Sequence, residues 1–107
     1  MSNDNLIPLQ IIDPSEQKID GKLSYNELVN SFLKLANEHW QTIEIEAVSS
    51  AIREAAARFN AYEADYKSGN LYGDRENAMS WFTEEYRRVL GSSLDDLIAK
   101  GESEDKS

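Results

Sequence analysis

The chain has 107 residues, 40% of them hydrophobic and 9% aromatic, enough for one domain with a modest core and too few for two of ordinary size. Lys and Arg total 11 against 20 Asp and Glu, a net charge of −9 that opposes counterion-release binding to nucleic acid and attraction to anionic lipid. With no cysteine and one histidine, disulfides, thiolate metal sites, thiol nucleophiles and iron–sulfur clusters are excluded, and few ways remain to hold a transition metal.

The N-terminal arm comes first. Met1 to Asn5 lacks the basic start and following apolar stretch of a signal peptide, and no run reaches the roughly 18 apolar residues of a membrane span. A cytoplasmic protein with no membrane and no nucleic-acid partner is the expectation. Leu6 to Ile12 is apolar but broken by Pro8 and closed by Asp13-Pro14, which predicts an extended arm over residues 1–22. Residues 1–20 carry four acids and one base, and residues 92–107 five acids and two bases, so most of the excess negative charge sits at the two ends.

Helical period begins after Leu23. Leu28, Phe32, Leu35 and Ala36 recur at the spacing of one helix face, and Ser24 with Glu27 forms a capping box flanked by a Leu23–Leu28 staple. This predicts a helix over 24–39. Val48, Ala51, Ile52, Ala55, Phe59, Tyr62 and Tyr66 predict a second, central helix over 43–67, capped by Thr42 and ended by Ser68-Gly69. A third helix is expected from an Asp74 cap through Met79, Trp81, Phe82, Tyr86 and Leu90 to Gly91. A short fourth turn should follow from Ser92 through Ile98. The fold class is therefore all-α: a small bundle of three main helices and a short C-terminal fourth over residues 23–99, with an extended N-terminal arm. Residues 100–107, all of them Gly, Ser, Glu, Asp or Lys, read as a disordered acidic tail.

The chemical motifs are sparse. Aligning Gly21 with the glycine of a calcium loop puts Asp20, Leu23 and Glu27 in register, but Lys18 then stands at a ligand position; a turn at Asp20-Gly21 followed by the capping box explains the same residues. Glu38 and His39 are adjacent, not three apart as a helical metal pair requires, and a histidine at a helix end commonly meets the last carbonyls. Glu84-Glu85 and Asp95-Asp96 point in different directions on a helix, and Arg88 is spaced to pair with Glu84. No catalytic residue, metal ligand or cofactor is assigned.

Two groups stand out. Arg58 and Asn60 flank Phe59 in an alanine-rich stretch and, with Asn37 and Glu38, form a candidate polar cluster that either fixes helix register or binds a ligand or partner. The rings read most simply as core, but they are many for a core this small, which makes Trp40, Trp81 and Tyr86 candidate interface aromatics.

The segments Leu35-Ala36-Asn37-Glu38-His39, Ala56-Ala57-Arg58-Phe59-Asn60-Ala61 and Trp81-Phe82 through Glu85-Tyr86 to Leu90, with Leu94-Asp95-Asp96, resemble a family of small proteobacterial proteins, domain of unknown function 3144. The likeness covers about residues 28–98, and Glu54 and Glu63 depart from it. The resemblance implies a compact helical fold and a bacterial cytoplasmic setting, with no activity or cofactor to carry over. The leading expectation is a non-enzymatic protein–protein interaction module that presents a helix face to a protein partner, a second copy included. The alternatives are a ligand-binding or enzymatic site around Arg58, or an acidic nucleic-acid mimic; for the latter, residues 21–91 carry little of the charge.

Overall fold

A computed structural model describes Ile7, residues 18–19 and residues 23–105, and the side chains of Ile7 and residues 23–103. Strands β1 (Lys18–Ile19) and β2 (Leu23–Ser24) precede helices α1 (Tyr25–Trp40), α2 (Ile45–Lys67) and α3 (Leu71–Asp105). The all-α class holds, with three helices among the described residues and a minimal antiparallel pair before them. The chain divides into two units, Met1–Ala56 and Ala57–Ser107, described separately below.

In the first unit Lys18 pairs with Ser24 and Ile19 with Leu23. Ser24 serves two elements because its backbone, φ −72° and ψ 167°, is extended. It ends β2 and caps α1, its hydroxyl accepting from the Glu27 amide at 3.2 Å while its own amide donates to Glu27 Oε1 at 2.9 Å. This is the capping box expected from the sequence, and it starts the helix where predicted. At the other end, the amides of Thr42 and Ile43 donate to the His39 carbonyl at 3.1 and 2.9 Å. Those two residues thus prolong the exit from α1, and α2 begins at Ile45 with the Glu44 carbonyl accepting from Ala47 and Val48, two residues later than the Thr42 cap predicts. The buried residues among those described all lie in this unit: Ser24, Asn30, Ala36, Asn37 and Val48. The turn expected at Asp20-Gly21, and most of the predicted arm, lie outside the described residues.

The second unit holds the C-terminal part of α2 and all of α3. Asn70, not Asp74, caps α3: its side-chain oxygen accepts from the Gly73 amide at 3.2 Å, its carbonyl from Asp74 at 3.0 Å. Asp74 instead sits in the first turn, where the helix dipole favours its charge, and takes a 2.6 Å bond from the Ser68 hydroxyl. Gly73 makes the cap possible, since a Cβ there would meet Asn70 Nδ2 at 2.7 Å.

The fourth helix of the sequence reading is not a separate element. α3 runs unbroken through Gly91 and Gly101 to Asp105, so the stretch from Ser92 to Ile98, and the residues read as tail as far as Asp105, are its continuation. A helical glycine costs about 1 kcal/mol relative to alanine, less than abandoning the backbone bonds on either side of it. Gly91 also lacks the neighbouring proline that would enforce a stop.

Candidate functional site

The buried face of α1 is an amide row. At 100° per residue, Asn26, Asn30 and Asn37 lie within about 40° of one another along one flank of the helix, next to its apolar arc. Asn30 and Asn37 are each only 8% exposed, and all three are engaged in polar contacts. Asn37 holds Ile7 by both of its backbone groups: the Ile7 amide donates to Oδ1 at 2.7 Å, and Nδ2 donates to the Ile7 carbonyl at 2.9 Å. A residue exchanging both main-chain bonds with one partner is the arrangement of a hydrogen-bonded pair in an antiparallel sheet, and here a side-chain amide takes the place of the second strand.

The apolar arc beside this row is only partly covered. Val29, Leu33 and Trp40, on the row's side, are half-buried, whereas Leu28, Phe32 and Leu35 on the far side are exposed, Phe32 to 67%. Glu38 and His39 are exposed; their carbonyls accept from the residues leaving the helix. The Glu27 carboxylate belongs to the cap of α1, the role that the reading as a turn and capping box gives it.

The predicted polar cluster is distributed over both units. Asn37 and Glu38 belong to the first; Arg58, exposed, and Asn60, half-buried, to the second. Two residues apart on α2, Arg58 and Asn60 leave the helix about 200° apart and so do not converge through their own helix.

No described residue of the second unit is buried. The reading of its rings as core is overturned here: Phe59 is 73% exposed, Tyr62 75% and Tyr66 91%. On α3, Leu71, Met79, Phe82, Tyr86, Val89, Leu90, Leu94 and Leu97 share an arc about 140° wide. Trp81 lies away from that arc and stacks edge-on against Phe82, centroids 5.0 Å apart and planes at 89°. Trp40 is half-buried on α1, and Tyr86, 54% exposed, is the one predicted interface aromatic on the α3 stripe. The opposite face of α3 is polar apart from Trp81, with a shallow hollow whose lining includes Glu84, Arg88, Ser92 and Asp95. Arg88 there bonds Glu85 at 2.6 Å rather than the Glu84 expected from spacing, a three-residue step in place of four.

The described chain is thus a helical one, with an asparagine that holds main chain on one helix and an apolar stripe along another. The family model of DUF3144, proteins of unknown function, matches residues 25–98, from the first residue of α1 into the last third of α3, and the chain belongs to that family. No curated protein and no solved structure matches it. Among the described residues no helix is long and apolar enough to cross a membrane.

Proposed function

We propose that this protein works by binding other protein chains through apolar helix faces and catalyses no reaction itself. The observation that carries the reading is the α3 stripe. From Leu71 to Leu97 it extends about 39 Å at 1.5 Å per residue, and Met79, Tyr86, Leu90 and Leu97 along it are 49%, 54%, 43% and 64% exposed. Burying a fully exposed Leu or Met contributes about 1.5–3 kcal/mol, and about half of that remains to be gained at these half-exposed positions, so the four give about 3–6 kcal/mol and the rest of the stripe has to add to it against the entropic cost of association. The partner surface that fits is another amphipathic helix, offered by a different protein or by a second copy of this chain. The Glu84, Arg88 and Asp95 face opposite is suited to solvent.

Sedimentation velocity over a wide concentration range, with affinity capture from the native cell, tests the reading. The wild-type chain is expected to form a defined dimer or a defined complex. Leu90→Glu should abolish it with helix content unchanged by circular dichroism, and Asp95→Ala on the opposite face should leave it intact. A strict monomer that captures nothing, or equal loss from both substitutions, would overturn the proposal.

A further inference from the structure

We infer that the occupant of the α3 stripe is a second copy of this chain, laid antiparallel along α3 with the two-fold axis at Tyr86. The inference rests on the function proposed above and names the partner of that same face.

The second unit needs cover from outside itself. None of its described residues is buried, and the rings that α2 contributes to it, Phe59, Tyr62 and Tyr66, are 73%, 75% and 91% exposed, so α2 does not cover the stripe. Most of the stability of an amphipathic helix comes from whatever buries its apolar face. From Leu71 to Leu97 the large apolar side chains of the arc are 38% to 64% exposed, apart from half-buried Phe82. Side chains of this size expose about 150–250 Å² when free, so the arc presents about 700 Å². Two such faces bury about 1,400 Å² between them, within the roughly 1,200–2,000 Å² of a stable interface.

The charges along the arc select a second copy and its direction. Measured from the direction of Tyr86, Arg75 lies about 20° and Lys100 about 40° to one side, so both bases stand inside the apolar arc, one near each end. Asp96 and Asp74 border that same side at about 80° and 120°. Within one copy Arg75 and Asp96 are about 32 Å apart along the helix, and Asp74 and Lys100 about 39 Å, so neither pair can form in cis. A two-fold axis perpendicular to two antiparallel helices sets like edges against each other, with positions mirrored about the axis. The midpoints of Arg75–Asp96 and of Asp74–Lys100 both fall within about one residue of Tyr86, so one axis brings both pairs together, each of them twice. The bond from Arg75 to Glu76 at 2.6 Å, between side chains 67% and 81% exposed, is a solvated one that yields at little cost. A parallel pair would instead set Arg75 against Arg75 and Lys100 against Lys100, which is unfavourable. Packing agrees with the same axis: Phe82 lies opposite Val89, Met79 opposite Leu94, and the two Tyr86 rings meet at the centre.

The chain has no cysteine, so Glu84→Cys and Glu102→Cys, both on the outer side of α3, each take one nitroxide label in the full chain. About the Tyr86 axis the two copies of position 84 are offset by about 6 Å along the helices and those of position 102 by about 48 Å. Double electron–electron resonance should therefore read about 25 Å for the first label and about 50 Å or more for the second, whereas a parallel pair gives about 25 Å for both. By sedimentation equilibrium, Arg75→Glu and Asp96→Arg should each weaken the dimer about tenfold, and the two together should restore it to within about threefold, with helix content by circular dichroism unchanged. Short distances at both labels overturn the inference, as does a charge swap no tighter than the single variants. A strict monomer that still captures another protein, with capture abolished by Leu90→Glu, overturns it while leaving the proposed function standing; a strict monomer that captures nothing overturns both.

Discussion

Replacing Ser24 by alanine removes half of the capping box and isolates a local determinant of the fold. The hydroxyl accepts from the Glu27 amide at 3.2 Å, and Ser24 is 3% exposed, so the deleted oxygen is not readily replaced by solvent. Loss of a Ser cap costs about 0.5–2 kcal/mol, and burial places this one toward the upper end, near 1.5 kcal/mol. With a urea dependence of about 1.5 kcal/mol per molar for a small domain, the unfolding midpoint should fall by about 1 M. Glu27→Gln retains an acceptor for the Ser24 amide, 2.9 Å away, and loses only the charge near the helix N-terminus, about 0.5 kcal/mol. The double variant should show coupling, because the two bonds position each other. Urea titration followed at 222 nm, together with hydrogen exchange at the Glu27 amide, reads both the global and the local effect. An unmoved midpoint with undiminished protection of that amide would refute the reasoning, and with it the claim that local capping sets the start of α1.

Gly73 and Asn70 should show opposed effects. Gly73→Ala gains about 1 kcal/mol of helix propensity but displaces the Asn70 amide from its cap, 2.7 Å from the new methyl, so it should be nearly neutral in wild type and stabilising in an Asn70→Ala background, as a thermal double-mutant cycle would reveal. The two tryptophans should differ in acrylamide quenching: Trp81, 61% exposed, should quench strongly and half-buried Trp40 weakly, with Trp→Phe variants assigning the signals.

The parts of the fold legible in the sequence are those whose causes are local. Ser24 and Glu27 are three residues apart, so the start of α1 can be read without knowledge of what packs on it. The start of α2 was displaced because Thr42 is as competent to cap a helix as to leave one, and the His39 carbonyl takes its amide. Ser68, Asn70 and Asp74 all have cap-forming side chains within one stretch, and only their mutual bonds determine which one caps. The join at Gly91 shows the same limit: a glycine permits an end but does not compel one.

The site is harder to read because its decisive contact spans 30 residues. Asn37 was legible as a polar residue bordering an apolar face, and the candidate cluster included it, but nothing nearby in sequence names Ile7 as its partner. Helical period identifies which side of α1 will be covered and leaves the covering element unspecified. Two sequence features narrow the choice in retrospect. The arm is the apolar segment with no helical period of its own, and Pro8 fixes the residue before it in the conformation that a side-chain amide can grip. An asparagine facing an unassigned extended apolar segment is therefore a stronger pointer to a main-chain clamp than either feature alone. Arg58 and Asn60 differ from Asn37 in that they leave α2 in opposed directions, so neither supports the other in gripping one partner.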